Sequence, residues 1–281
     1  MTKGSNDGQA PVALVTGASS GIGRIMAAAL AADGHVVFGT SRAPAATETD
    51  DGVRMIAMDV DSDASVDRAV AEVLGQAGRL DMVVCNAGFG VMGPIEDTPA
   101  ELMIAQFQTN VFGVHRVCRA VLPLLRQRPV AKLVVTGSMA GMVGLPMQGM
   151  YSASKFALEG YCETLRLELR DSPVRVALIE PGDFPTGFTA SRRMIPDAEM
   201  SAANRAKLAR VSAIVAEDES NGGDLALLGE AIVRIAHDPS PPLRNIVASP
   251  EQMELVEAVR PTLSPDEWEG FMAEHFGIEA A

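Results

Sequence analysis

The tightest constraint on the fold lies near the amino terminus, where Ala10-Pro-Val-Ala-Leu-Val-Thr16 runs into Gly17-Ala-Ser-Ser-Gly21-Ile-Gly23 and then the periodic stretch Arg24 to Ala32. A short apolar run, a glycine turn and a helical pattern describe a buried strand that turns sharply into a helix. Glycines let the backbone approach a ligand closely. The amino end of the helix adds free N–H groups and a partial positive charge. The unit reads as a phosphate cradle, with tight packing alone as the plainer alternative. Its spacing, G-x-x-x-G-x-G, differs from the common G-x-G-x-x-G dinucleotide pattern.

The rest of the chain repeats the alternation. Further strands are expected at Val36 to Ser41, Val53 to Met58, Leu80 to Cys85, Lys132 to Ser138, Val174 to Ile179 and Arg244 to Ala248. Strands alternating with crossover helices imply an α/β fold with a parallel sheet covered on both faces. Thr98-Pro99-Ala-Glu101 reads as the start of a helix, with Thr98 as N-cap and Glu101 closing a capping box. Residues 1–10 read as a polar disordered tail and 11–248 as a single catalytic domain. Within it, 187–221 breaks the α/β rhythm. Residues 249–281 form an extension with helices starting at Ser249-Pro-Glu-Gln252 and Ser264-Pro-Asp-Glu267.

A second cluster carries chemistry. Tyr151 and Lys155 stand four apart, so on a helix spanning Tyr151 to Arg170 they share one face, and Ser138 closes the apolar run Lys132 to Ser138. A phenol exchanges a proton with an alcohol or carbonyl oxygen, a nearby cation lowers its pKa, and a hydroxyl holds the reacting oxygen. Strand ends at the carboxyl edge of an open sheet are where ligands bind. Tyr-x-x-x-Lys alone is common on solvated helix faces; it gains meaning from the glycine turn.

Composition limits the partners. The 281 residues carry a net charge of −13, which argues against nucleic acid or an anionic membrane and leaves an anionic cofactor to local positive charge. Cys85, Cys118 and Cys162 are odd in number and lie in strand-like or helical segments, as expected of buried reduced thiols in a cytoplasmic protein. His35, His115, His237 and His275 are scattered, so no metal site is expected. Neither a secretion signal nor a run of about 18 apolar residues that could span a membrane is evident.

Together these residues resemble the short-chain dehydrogenase/reductase family from about Pro11 to Ala248. The resemblance rests on Thr16 to Gly23, Ser138, Tyr151 and Lys155, together with Asp59-Val60, Asn86-Ala87-Gly88, Asn110 and Pro181-Gly182 in the family's order. It implies a doubly wound Rossmann-type domain with a sheet of about seven parallel strands. It further implies that Gly17, Ser19, Ser20, Gly21, Ile22 and Gly23 shape the cofactor turn, that Asp59 and Val60 meet the adenine, and that Asn86, Ala87 and Gly88 flank the cofactor. Asn110 would hold a water linking Lys155 to solvent. Pro181, Gly182 and Thr186 would contact the nicotinamide, Lys155 its ribose. The family is commonly dimeric or tetrameric, so a homodimer or homotetramer is expected.

Ser41 stands where an NAD-binding carboxylate would stand, and Arg42 follows, so NADP(H) is the expected cofactor, with NAD(H) possible. No basic residue lies at Ala18, Ser19 or Ser20 to add a second phosphate contact. Met139, Met142, Leu145, Met147 and Met150, with Phe184 and Phe188 and further support from Phe89 and Met92, are read as an apolar substrate pocket. Gly144-Leu-Pro, the Tyr151 to Gly160 stretch and Ile179-Glu-Pro-Gly look like the 17β-hydroxysteroid and retinol dehydrogenase branch, which handles bulky apolar alcohols and ketones. Residues 187–221 would then be a mobile substrate cover, its Arg192 and Arg193 read mainly as solvated. Trp268, Phe271 and Phe276 would dock the extension on its own subunit, over the pocket mouth, or on a partner. The expected activity is reversible hydride transfer between NADP(H) and a carbonyl or secondary alcohol of a steroid-, retinoid- or aryl-like substrate. The alternative is an NADP(H)-binding sensor or scaffold without turnover.

Overall fold

The computed structural model describes residues 9–188, 192–196 and 200–278; most of the expected tail, residues 1–8, lies outside them. The chain opens with β1 (Val12–Val15), four buried aliphatic residues that lead through the glycine turn into α1 (Gly21–Ala32). There follow β2 (Val36–Ser41), β3 (Arg54–Ala57), α2 (Asp63–Ala77) and β4 (Met82–Cys85). Ser62 caps α2 by accepting from the Ser65 N–H, and Gly78, at φ +69°, ends it in a conformation that glycine adopts without steric cost.

After the two-residue strand β5 (Val91–Met92), a helix runs as α3 (Ala100–Phe107), a π-turn at Gln108–Phe112 and α4 (Gly113–Leu125). Helix α3 does not use its expected cap. The Thr98 hydroxyl donates to the Pro94 carbonyl at 2.6 Å, and the helix begins after Pro99 without a side-chain cap. Next come β6 (Ala131–Thr136), α5 (Gly149–Glu168), β7 (Val174–Pro181), β8 (Arg193–Met194), α6 (Ala202–Ser220), α7 (Ala226–His237), β9 (Arg244–Val247), α8 (Pro250–Glu254) and α9 (Pro265–His275).

Seven strands form one parallel sheet in the order β3-β2-β1-β4-β6-β7-β9, and β5 pairs with β8 separately. The chain winds outward from β1 in one direction and from β4 in the other, so the crevice between their carboxyl ends is the topological switch point. On one face Met26 and Leu30 of α1 meet Leu228 and Ile232 of α7; on the other, Val70 of α2, Val117 of α4 and Leu158 of α5 close the core. Each such side chain, fully buried, contributes about 1.5–3 kcal/mol.

The segment expected to be a mobile cover contains a nineteen-residue helix. Ser201 caps α6, and its Leu208, Val211 and Val215 pack with Met92, Ile195 and Phe276. The extension docks on its own chain: Phe276 is buried, Ser264 and Glu267 form the expected capping box, and His275 pairs with Asp218 of α6 at 3.1 Å. Ser249 caps α8, but the Gln252 side chain turns away from it to accept from the Asp183 N–H at 3.2 Å. All three cysteines are buried free thiols. A thiol–thiol hydrogen bond with Cys118, and then burial, push the Cys85 thiol well above the usual range, and burial raises Cys162. Their role is packing.

Candidate active site

A cleft of about 590 Å³ opens along the carboxyl edge of the sheet. Its first wall is the turn after β1. Gly17 and Gly21 have φ of +66° and +55°. A Cβ on Gly17 would stand 2.9 Å from the Ala87 Cα, and one on Gly23 would stand 2.3 Å from the Asn86 Nδ2 and 2.4 Å from the Gly17 carbonyl oxygen. The backbone therefore fits only without side chains. Ser20 precedes α1 without spending its hydroxyl on a cap, and Ser19, Ser20, Gly21 and Ile22 line the cleft. Gly23 shapes the turn from behind and is not itself in the lining.

The next wall is braced by side-chain hydrogen bonds. The Thr16 hydroxyl accepts from the backbone N–H groups of Asn86 and Ala87 at 2.8 and 3.0 Å, and the Asn86 Nδ2 donates to the Thr16 carbonyl at 3.0 Å. Asn86 thus ties β4 to the glycine turn, leaving Ala87 and Gly88 along the cleft. Asp59 and Val60 lie at the far end; the Asp59 Oδ1 accepts from the Asp61 N–H. Ser41 and Arg42 stand there too. The Ser41 hydroxyl is buried without a hydrogen-bond partner among the described residues, and Arg42 is exposed. Pro181, Gly182 and Thr186 enter from the end of β7.

This surface fits a dinucleotide. A backbone cradle that a Cβ on Gly17 or Gly23 would crowd, open N–H groups at the start of α1, an orphaned hydroxyl and an arginine follow one another along the cleft.

The residues expected to carry the chemistry lie at the other end. Ser138 sits two residues beyond β6, where its hydroxyl caps a short 3₁₀ turn by accepting from the Ala140 N–H at 3.1 Å. Tyr151 and Lys155 sit in the first two turns of α5, and Ser138, Tyr151 and Lys155 all line the cleft. The Lys155 ammonium donates to the Thr136 carbonyl at 2.8 Å and lies 5.6 Å from the centre of the Tyr151 ring. Its charge therefore meets the ring and a strand carbonyl. Loss of solvent raises the Tyr151 phenol to about 12, against the pull of the Ser138 hydroxyl and the Arg192 charge, and burial lowers Lys155 to about 8. The expected depression of the tyrosine pKa by the lysine is absent, because burial disfavours the charged form of both groups.

Asn110 is occupied as well. From the π-turn, its amide accepts from the Phe89 N–H and donates to the Phe89 carbonyl, each at 3.0 Å, and to the Ser154 hydroxyl at 3.1 Å. It clamps the Phe89 backbone against α5.

Of the expected pocket residues, Leu145, Phe184, Phe188 and Phe89 line the cleft, and the Phe188 ring lies 5.6 Å from that of Tyr151. Met139 lines a neighbouring cavity. Met142, Met147, Met150 and Met92 line neither cavity. Met142 packs toward Ala248 and Val256, while Met92 is buried beside α6. Met147 adopts φ +60°, a conformation that costs a residue with a side chain about 1–2 kcal/mol; its carbonyl accepts from the Gly93 N–H at 2.7 Å and its side chain packs with Met92 and Ile195. These methionines fill gaps between helices.

Arg192, expected in solvent, is buried: it pairs with Glu219 of α6 and lies 5.3 Å from the Phe188 ring, so a carboxylate of this chain takes the partnership left open for a ligand. Arg193 stacks 4.1 Å from the centre of Phe89. Of the basic stretch, Ser191 lies outside the described residues. Glu219 and Asp183, both lining the cleft, are raised above the ordinary carboxylate range by burial. Neither stood out in the sequence, since a helical glutamate and a loop aspartate carry no pattern. Among the described residues no His, Cys, Asp and Glu group could hold a metal ion, and no helix is long and apolar enough to cross a membrane.

Comparison with known proteins agrees with this geometry. A 3-ketodihydrosphingosine reductase of Bacteroides thetaiotaomicron is 41% identical over 242 residues, covering 85% of this chain and 88% of that protein. The human 17-beta-hydroxysteroid dehydrogenase type 1 is 38% identical over 191 residues, covering 63% of this chain and 58% of that one. The solved structure of a short-chain dehydrogenase from Streptomyces avermitilis superimposes with a TM-score of 0.78 at 31% identity, covering 95% of this chain and 98% of that one. Solved structures of similar fold hold 5-hydroxy-NADP or NADH. Residues 11–195 match the family model described as short chain dehydrogenase, and with the seven-stranded sheet, the glycine turn and the Ser138, Tyr151, Lys155 group in one cleft, the chain belongs to the short-chain dehydrogenase/reductase family.

Proposed function

We propose that this NAD(P)-dependent oxidoreductase prefers NADP(H) and reduces the carbonyl of an apolar or amphipathic substrate, with Tyr151 as acid, Ser138 orienting the oxygen and Lys155 binding the nicotinamide ribose. The observation that carries the reading is the convergence of Ser138, Tyr151 and Lys155 with the glycine turn in one cleft. When bound, the nicotinamide supplies or accepts the hydride at the substrate carbon. Tyr151 gives its proton to the oxygen or takes it back, and the Ser138 hydroxyl, on a rigid turn, holds that oxygen. The Tyr151 phenol, raised to about 12 by burial, is protonated at neutral pH and so holds the proton that a carbonyl oxygen would take up on reduction. Phe188 over Tyr151 and Arg192 beside it help to exclude water.

Preference for NADP(H) is supported by Arg42 at the rim and by the buried Ser41 hydroxyl in the place of a carboxylate. Similarity to a 3-ketodihydrosphingosine reductase and to a 17-beta-hydroxysteroid dehydrogenase supports a ketone of the dihydrosphingosine or the steroid kind. A homodimer or homotetramer built on α4 and α5 accords with exposed Phe112, Phe156 and Leu167; light scattering of the full chain decides it, and a monomer at micromolar concentration rules it out. The site argues for turnover over a sensing or scaffolding role, because all three reacting groups are present. Its test follows NADPH or NADH absorbance across long-chain amino ketones, steroids, aryl and aliphatic ketones. Turnover that disappears in Tyr151→Phe is expected; binding of cofactor with no turnover of any carbonyl would favour the sensor.

A further inference from the structure

A second cavity, of about 290 Å³, lies beside the cofactor cleft and shares with it Ser138, Leu145, Gln148, Pro181, Gly182 and Asp183. It therefore opens at the hydroxyl that holds the reacting oxygen. Its far walls are mainly apolar, from Met139 and Val143 on one side to Val256, Phe271, Met272 and Phe276 on the other; of the polar side chains between them, Gln252 is paired with Asp183, and His275 with Asp218. Four of the six apolar residues belong to the extension after β9, which the sheet does not need.

The extension is also held in place by polar ties at both ends. At the near end Gln252 grips Asp183 twice, accepting from its N–H at 3.2 Å and donating to its carboxylate. A Cβ on Gly182 would come within 2.5 Å of the same Gln252 amide oxygen, so the approach to the loop after β7 is as close as glycine permits. At the far end His275 pairs with Asp218 at 3.1 Å, and Arg210 donates to the Gly277 carbonyl. An apolar space fixed this way, open toward the catalytic hydroxyl, is a built site.

We infer that the cavity under the carboxyl-terminal extension receives a flexible alkyl chain attached to the reacting carbonyl, and that the extension sets the chain length the enzyme accepts. The inference rests on the carbonyl-reductase reading. Walls of methionine, valine and phenylalanine adapt to a chain of methylenes and offer few fixed polar contacts. The polar end of such a substrate would remain in the main cleft, where Arg192 and Glu219 line the wall near Tyr151.

The test measures kcat/KM of the full chain, at saturating NADPH, for straight-chain 2-ketones from short to long. The expected result is a rise of about fourfold per added methylene until the cavity is full, followed by a plateau. Val256→Phe is expected to move the plateau to shorter chains, lowering the long-to-short ratio by about tenfold or more, and Phe271→Ala to move it to longer ones. Tyr151-dependent turnover of short ketones with no dependence on length would overturn the inference and leave the reductase reading standing. So would a plateau unmoved by either variant, or a rigid steroid ketone that outperforms every chain. Absence of turnover with any ketone would instead overturn the reading beneath it.

Discussion

The two ends of the cleft are built from different materials. The cofactor end is largely backbone: the glycine turn, Ala87 and Gly88, braced by Thr16 and Asn86, where a methyl group added at Gly17 or Gly23 meets main-chain atoms. The substrate end is side chain, with Phe188, Arg192 and Glu219 over Tyr151 and the methionines and aromatics of the extension beyond it. A backbone wall has one shape and suits a fixed ligand. A side-chain wall can be re-cut without disturbing the sheet, and there a family varies its substrates.

The sharpest way to probe this contrast is to remove chemistry and leave binding alone. Tyr151→Phe is expected to lower kcat by about 10²–10⁴ while NADPH affinity, set at the other end, stays within about twofold, as cofactor fluorescence titration can show. Equal losses in kcat and affinity would break the separation. Shape comes next. Gly23→Ala places its methyl against the Asn86 amide and the Gly17 carbonyl and is expected to weaken NADPH binding about 10–100-fold, the usual cost of overpacking. Met139→Leu, a volume-conserving change in the side-chain wall of the second cavity, should leave NADPH affinity and melting temperature nearly unchanged; similar damage from both substitutions would erase the distinction.

A smaller effect concerns charge at the cofactor end. Arg42→Ala is expected to reduce the ratio of kcat/KM for NADPH over NADH by about tenfold, the loss of one charge-assisted contact. A ratio that does not change would place the cofactor phosphate elsewhere.

The smallest effect compares two buried acids. Asp81, at the start of β4, is held below its ordinary range by Arg79, Arg128 and the Val12 N–H despite burial. Glu180, on β7, has neither oxygen hydrogen-bonded to a donor among the described residues; burial and then its contact with Glu159 raise it from 4.5 to about 9. The native protein thus keeps a proton there that the unfolded chain releases, so this stabilisation is full below about pH 4.5 and is lost as pH rises toward 9. Glu180→Gln should therefore raise the melting temperature relative to wild type more at pH 9 than at pH 6. An equal shift at both values would mean that Glu180 does not titrate in that window.

Much of the cofactor end was legible in the sequence because its signals are local. The glycine turn lies within seven residues, and Tyr151 and Lys155 within one helical turn. The substrate end depended on contacts between distant segments. Four methionines of similar appearance lie at or just before the start of α5, yet only Met139 lines a cavity; Met142 packs toward Ala248 and Val256, and Met147 sits at positive φ with its carbonyl accepting from the Gly93 N–H. Thr98 carried a helix-start signature and was drawn off by a carbonyl four residues back. Arg192 looked like a surface cation until α6 brought Glu219 to it.

The sequence by itself determined the alternation of strands and helices, the glycine turn after β1 and the placing of Tyr151 and Lys155 on one helix face, since these patterns act over short stretches of chain. Only the tertiary structure decided which side chains enclose the substrate, how α8 and α9 form a second cavity, and where the pKa values of Tyr151, Lys155 and Glu180 fall. Burial and cross-chain contacts, which arise once remote segments meet, set all three.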